Sequence, residues 1–158
     1  MKRSKLWIAL LAALLLAGCV KTNYASLSPK EFTDKVERYG AVTEAVSAGD
    51  VFSSDHPEAL VGRIFFANSD KSWSGAFWAF DADAAAQVCF SRLSEAYQPE
   101  MLYSPGEAYE RFEVTLSEGA QPVVRVIRVQ ETVLLLSCAD NDAARDAAGK
   151  LLVFLNYN

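Results

Sequence analysis

The chain has 158 residues, of which 15 are Lys or Arg and 20 are Asp or Glu, so its formal net charge is −5 with the single histidine neutral. This length suits one domain with a substantial hydrophobic core. The acidic balance, without any basic block beyond the first residues, excludes nucleic acid from the expected partners.

The first 18 residues have the composition of an export signal. Lys2, Arg3 and Lys5 make a positive start, and residues 6–16 form an unbroken apolar run, LWIALLAALLL. This run is too short to span a membrane as a helix, which needs about 20 residues. It also lacks the polar face of a buried amphipathic helix. A positive start followed by a short apolar run and small residues is typical of a secretion signal.

The apolar run ends in LAGC at residues 16–19, and this ending resembles the lipobox of bacterial lipoproteins. The resemblance implies that residues 1–18 are removed and that Cys19 receives acyl chains such as palmitate, which anchor the protein to a membrane. In that family an Asp after the lipidated cysteine marks inner-membrane retention, and here Val20 takes its place. The resemblance therefore implies the outer membrane, on its periplasmic side. The alternative is an ordinary secretion signal with an incidental Cys19.

Once Cys19 is assigned to lipid, Cys89 and Cys138 remain as a pair. Exported proteins meet an oxidising compartment in which such pairs usually bond, so the sequence predicts a Cys89–Cys138 disulfide. In the chain-entropy model, closing a loop of about 50 residues stabilises a fold by about 4 kcal/mol. The alternatives are two separate buried thiols, or a redox or metal site, which no Cys-x-x-Cys motif supports.

A tether of residues 19–27 precedes the predicted globular domain, residues 28–158. Its first helix begins with the sequence SPKE, in which Ser28 can cap the helix and Glu31 completes a capping box. The helix is predicted to continue to Gly49, because apolar or neutral residues recur at spacings of three and four: Phe32, Val36, Tyr39, Thr43 and Val46.

A loop at residues 50–58 is followed by a predicted hairpin, a helix and a second loop. The hairpin joins strands at residues 60–67 and Trp73–Phe80 through the polar turn NSDKS. The helix covers residues 84–97 and is capped by Asp81 or Asp83. Two prolines then mark residues 98–106 as a loop.

The last third of the chain is the clearest β region. Alternation predicts a strand at residues 112–117, and runs of Val, Ile and Leu predict strands at Val123–Val129 and Thr132–Cys138. Asn141 is predicted to cap a short helix that Gly149 ends, before a final strand at residues 151–155. This order predicts an α+β fold, with a mostly antiparallel sheet, an N-terminal helix and one or two further helices packed on it.

No residue pattern predicts a catalytic site, a metal site or a cofactor. The single histidine, His56, lies in the sequence SSDHP, but the members of a catalytic triad rarely adjoin in one loop. Residues 81–83 and 140–142 offer carboxylate oxygens, which helix capping explains better than metal binding does. Paired carboxylates could serve a glycosidase only at a separation that sequence does not show, as for Glu107, Glu110 and Glu113.

The strand Trp73–Phe80, with the sequence WSGAFWAF, carries large rings on both of its faces. Alternation places Trp73 and Phe77 on one face and Trp78 and Phe80 on the other. Either helices cover both faces, or one face is a recognition surface. Trp73 and Trp78 are therefore the candidate ligand-binding residues. Of the two, we expect Trp78 in the core and Trp73 exposed beside the turn.

Together these features predict a membrane-anchored envelope lipoprotein that acts as a non-catalytic binding or assembly module. Its membrane contact is the N-terminal lipid, and its expected partner is an envelope protein or a glycan. The alternatives are an envelope hydrolase acting on glycan or peptide, and a lipid-anchored enzyme inhibitor. A deep polar cleft with carboxylates of perturbed pKa would favour the hydrolase, whereas an apolar groove or patch would favour the binding module.

Overall fold

The structure, a computed structural model, describes residues 24–45 and 59–158. Within these ranges the chain forms one seven-stranded antiparallel sheet and three helices, so the predicted α+β class is confirmed. The predicted signal peptide, the lipidation site Cys19 and the loop that contains His56 lie outside the described residues.

The elements follow one another in an order that alternates helices with groups of strands. They are α1 (Pro29–Arg38), β1 (Ala41–Ala45), β2 (Leu60–Asn68), β3 (Trp73–Phe80), α2 (Asp83–Tyr97), β4 (Tyr103–Gly106), β5 (Tyr109–Thr115), β6 (Val123–Val129), β7 (Thr132–Cys138) and α3 (Asp142–Leu155). The strand order in the sheet is β1-β2-β3-β7-β6-β5-β4. Tyr109 pairs with Val129, and Val129 pairs with Thr132. We call this end of the sheet the Tyr109 end and the opposite end, where Val123 pairs with Cys138, the Cys138 end.

Alternation along the central strands divides the hydrophobic core into two clusters on opposite faces of the sheet. On β3, Trp73 and Phe77 face α1 and α3, whereas Trp78 and Phe80 face α2. Both tryptophans are only 3% exposed. The expectation that Trp78 lies in the core is therefore confirmed and the expectation that Trp73 is exposed is wrong, and helices cover both of these candidate ligand-binding residues.

Cys89 and Cys138 lie on opposite faces of the sheet and are not bonded to each other. Cys89 is on α2, and Cys138 ends β7 with its side chain in the core beneath α1 and α3. A disulfide requires side chains that point towards each other, whereas Cys138 points away from α2. The structure therefore does not support the predicted bond. Burial raises the pKa of the Cys138 thiol, which lowers its reactivity.

Helix α1 starts as predicted but is shorter. The Glu31 amide donates to the Ser28 hydroxyl, and the Glu31 carboxylate accepts from the Ser28 amide at 2.9 Å, which completes the capping box. The helix ends at Arg38, because Gly40 adopts a φ of +93° that reverses the chain. Residues 41–45 then pair with β2 as an edge strand instead of extending the helix.

Residues 151–155 form the last turns of α3 and not the predicted strand. Gly149 is inside this helix, which ends at Leu155 with Asn156 as its left-handed cap at a φ of 65°. The leucines at 151, 152 and 155 recur at helical spacing and are buried against the sheet. Burial of these leucines against the sheet thus stabilises the helix beyond Gly149.

Two smaller predictions are also wrong. Neither Asp81 nor Asp83 caps α2, since its N-cap residue is Ala82 and makes no side-chain hydrogen bond. The predicted loop at residues 98–106 contains β4, a short strand at one edge of the described sheet. An edge strand tolerates Pro105, because proline lacks only a donor that the sheet does not need there.

The described chain is already part of the fold at Tyr24, earlier than predicted. The Tyr24 ring stacks on Tyr109, with 4.1 Å between the ring centroids. The Ser26 hydroxyl donates to the Glu131 carboxylate at 2.8 Å, in the turn between β6 and β7. Residues 24–27, which the sequence assigned to the tether, therefore belong to the domain.

Tyr157 ties the end of the chain into the same core. Its hydroxyl shares a 2.6 Å hydrogen bond with the Thr132 hydroxyl, and its backbone carbonyl accepts from the Tyr109 hydroxyl at 3.4 Å. Burial raises the pKa of Tyr157 from 10.0 to about 12. The native state thus holds this phenol proton to higher pH than the unfolded chain does.

We expect stability to fall as pH rises between about 10 and about 12, because the unfolded state loses the Tyr157 proton there while the native state retains it. At about 1.4 kcal/mol per pKa unit, this single group contributes a loss of about 3 kcal/mol. Denaturant unfolding of the wild type and of Tyr157→Phe across this pH range measures it. The variant has no proton to lose, so its stability should decline less steeply by that amount, and equal declines would contradict the prediction.

Candidate binding groove

An open groove of about 770 Å³ runs along α3 on the outer part of the sheet. Strands β4, β5 and β6 form its floor and α3 forms one wall. The groove exists because α3 packs on β7, and β5 and β4 lie two and three strands farther out. At about 4.8 Å per strand, these outer strands extend beyond the helix. The volume is within the usual range for ligand pockets.

Apolar side chains at the rim of the groove are exposed to water. Met101 is 78% exposed and Tyr103 is 48% exposed on the floor side, and Val153 is 60% exposed on the α3 side. Ile127 and Leu152 form a buried base between them. Apolar side chains that cluster around a groove with polar neighbours are typical of an interaction site.

The carboxylates of the groove are held in ion pairs. Glu113 accepts from Arg125 at 2.6 Å and from Arg145 at 3.0 Å. Asp146 accepts from Lys150 at 2.7 Å, and this hydrogen bond raises the pKa of Lys150. Glu113 thus connects β5 with β6 and α3, whereas the Asp146–Lys150 pair lies within α3 on its exposed face.

Arg111 is a groove cation that forms no ion pair within the described part of the chain. It is the cross-strand neighbour of Tyr103, and its guanidinium lies over the Tyr103 ring at 4.8 Å from the centroid. A guanidinium stacked in this way keeps a preset orientation and can donate two parallel hydrogen bonds to a carboxylate. The groove thus combines an apolar rim with an oriented, exposed cation.

No protein-family model, curated protein or solved structure matches this chain. Within residues 24–45 and 59–158, no three side chains of His, Cys, Asp or Glu are arranged to hold a metal ion. None of the helices described for the chain is long and apolar enough to cross a membrane.

Apart from Glu113, which was considered as a glycosidase carboxylate, the groove residues were not singled out by the sequence. Met101 and Tyr103 lay in a predicted loop, and Val153 lay in a predicted strand. The available signal was the alternation along β5, which places Arg111 and Glu113 on the face opposite Phe112. What sequence could not show is that α3 returns along that face.

Proposed function

We propose that this protein is a lipid-anchored binding module of the bacterial envelope, and that the groove along α3 holds a segment of a partner protein. The observation that carries the proposal is the groove, whose exposed apolar rim adjoins a stacked arginine without an ion pair in the described chain. The lipobox-like ending at residues 16–19 supports the anchor, and Val20 favours the periplasmic side of the outer membrane.

The chemistry of the groove favours an apolar segment that carries one carboxylate. Covering Met101 and Val153 would remove apolar surface from water, at about 25 cal/mol per Å². Arg111 would then bind the carboxylate, either of an acidic side chain or of a chain terminus. A glycan is the weaker candidate, because its hydroxyl groups would lose water at Met101 and Val153 without gaining hydrogen bonds.

Site-specific photo-crosslinking in the native host tests the groove. A crosslinking residue at Val153, which is 60% exposed, should give a discrete adduct with an envelope protein, whereas one at Val42, which is 70% exposed on β1, should not. Arg111→Ala should weaken capture by about 30-fold or more, as expected for a binding hot spot of 2 kcal/mol. Identical adducts at both positions would contradict the proposal.

Gly149 provides a matched pair of variants for the same experiment. A side chain added there meets no atom within 4 Å at its Cβ, so it can project into the groove without disturbing the core. Gly149→Trp should block the groove and abolish the Val153 adduct, whereas Gly149→Ala adds one methyl group and should retain it. An adduct that survives both Gly149→Trp and Arg111→Ala would show that the partner binds elsewhere.

Membrane fractionation of a Cys19→Ser variant tests the anchor separately from the groove. Cys19→Ser should prevent acylation and move the protein from the membrane fraction to the soluble fraction. If this variant stays in the membrane at the wild-type level, the lipoprotein assignment is wrong, whatever the groove binds.

A further inference from the structure

Three tyrosine rings and one guanidinium form a connected cluster beside the groove. The Tyr24 ring stacks on Tyr109 with 4.1 Å between the centroids, and the Tyr109 and Tyr103 rings meet edge to face at 6.3 Å. The Arg111 guanidinium lies over the Tyr103 ring at 4.8 Å from the centroid. We call these four residues the tyrosine cluster. It leads from the segment before α1 to the cation of the groove.

Strand pairing explains why three of these side chains meet. Tyr109 and Arg111 are two positions apart on β5, so they lie on the same face of the sheet. Tyr103 pairs directly with Arg111, which makes Tyr109 its diagonal neighbour, within reach of an aromatic side chain. The sheet therefore sets these three residues side by side. Tyr24 comes from outside the sheet and covers Tyr109.

The Tyr109 ring is the buried centre of the cluster. It is only 1% exposed, although β5 lies next to the edge strand of the described sheet. Its hydroxyl donates to the backbone carbonyl of Tyr157 at 3.4 Å. Burial raises the pKa of Tyr109, and the positive charge of Arg111 offsets part of this rise, so the guanidinium is close to the phenol as well as to the Tyr103 ring.

We propose that Tyr24 is a positioning residue for the groove, which acts on Arg111 through the two intervening rings. This inference rests on the proposed function of the groove. Tyr24 covers one face of Tyr109, and Tyr109 limits the movement of the Tyr103 ring beneath the guanidinium. Without Tyr24, the rings gain room and Arg111 samples more orientations. Binding a carboxylate then costs more conformational entropy, because the side chain must first be ordered.

The same contacts connect the groove with the tether. The Ser26 amide donates to the side-chain carbonyl of Gln130 at 3.2 Å, so residues 24–27 are held by polar contacts as well as by ring stacking. Because coupling between two sites is reciprocal, a ligand that fixes Arg111 also favours docking of residues 24–27. The segment that joins the proposed anchor to the domain thus supports the binding site.

Side-chain NMR of Arg111 tests the positioning without any partner. In the full-length protein in detergent micelles, the Nε–H resonance of Arg111, assigned through its loss in Arg111→Lys, should be displaced by the ring current of Tyr103. Tyr24→Ala should move this resonance towards that of a free arginine, whereas Tyr24→Phe keeps the ring and should leave it in place. An unchanged resonance in Tyr24→Ala, or equal movement in the two variants, would overturn the proposal.

Tyr39→Ala is the matched control for the loss of a partly buried tyrosine. Tyr39 packs against the same core cluster as Tyr24, but its ring neighbours are Trp73 and Phe154. We expect this variant to lower the stability of the protein and to leave the Arg111 resonance unchanged. Movement as large as that in Tyr24→Ala would indicate general loosening of the core and would count against a positioning role.

Photo-crosslinking from Val153 measures the consequence for binding. Tyr24→Ala should lower the yield of the Val153 adduct by about 5-fold, within the range for coupling through a network of contacts, and Tyr24→Phe should retain it. If the wild type gives no Val153 adduct, the proposed function fails, and the Arg111 resonance still decides whether Tyr24 positions that side chain. A displaced resonance with an unchanged adduct yield would overturn the role of Tyr24 in binding.

Discussion

Replacing Arg128 with Met should destabilise the protein by about 3 kcal/mol, because it breaks a buried charge network. Arg128 is 1% exposed, on the face of β6 that α2 covers. Its Nε donates to Glu110 at 2.6 Å, and its other nitrogens donate to the carboxylate of Asp83 and to the carbonyl of Glu107. One side chain thus connects β6 with β5, with the start of α2 and with the turn between β4 and β5.

The magnitude follows from the exposure of the partners. Removing one member of a buried ion pair typically costs about 3–5 kcal/mol, since the other charge is left without a counter-ion. Here the Asp83 side chain is 53% exposed and water can solvate it, whereas Glu110 is 22% exposed and more strongly affected. We therefore expect Arg128→Met to lower the free energy of unfolding by about 3 kcal/mol, the lower end of that range. Urea unfolding measures this loss.

Arg125→Met is the matched control for this experiment. Arg125 lies on the same strand and pairs with Glu113 at 2.6 Å, but its side chain is 19% exposed and that of Glu113 is 42% exposed. Ion pairs near the surface contribute about 0–1 kcal/mol. A loss under 1 kcal/mol for Arg128→Met, or equal losses for the two variants, would contradict the structural role of Arg128.

Replacing Gly75 with Ala should cost about 3 kcal/mol, at the upper end of the usual effect of overpacking. Gly75 lies in β3 between β2 and β7. A Cβ atom there would overlap the carbonyl oxygen of Leu135 and would approach the Phe66 ring to 2.6 Å. The carbonyl belongs to the backbone of a central strand and cannot move without disturbing the ladder. Thermal and urea unfolding measure the loss.

Gly149→Ala makes the same chemical change but should raise the stability of the protein, whereas Gly75→Ala lowers it. Gly149 lies inside α3, and a Cβ atom there meets nothing within 4 Å. Alanine is favoured over glycine inside a helix by about 0.5–1 kcal/mol, so this variant should be more stable than the wild type. If Gly75→Ala changes stability by less than 1 kcal/mol, the close packing of β3 on β7 is contradicted.

The sequence by itself determined the features that depend on neighbouring residues. The capping box at Ser28 and Glu31, the hairpin of β2 and β3, and the strands β6 and β7 all formed as predicted. Each is encoded by a local pattern, either a cap or an apolar run bounded by turn residues. The lipobox-like segment at residues 16–19 is also a property of the sequence alone, and it remains a prediction.

Helix ends were decided by tertiary contacts. Gly40 and Gly149 are both glycines that follow helical residues, yet only Gly40 ends a helix. After Gly40 the chain pairs with β2, which satisfies the backbone groups of residues 41–45 that point towards β2. After Gly149 three leucines bury themselves against the sheet, which stabilises the helix more than one glycine destabilises it.

Only the tertiary structure decided which surfaces are buried and which are open. Strand alternation placed Trp73 and Trp78 on different faces, but whether a helix covers each face depends on how the chain returns. The same contacts put Cys89 and Cys138 on opposite sides of the sheet. The groove also depends on the tertiary structure. Arg111 and Val153 are far apart in sequence and line the same groove only because α3 lies beside the outer strands.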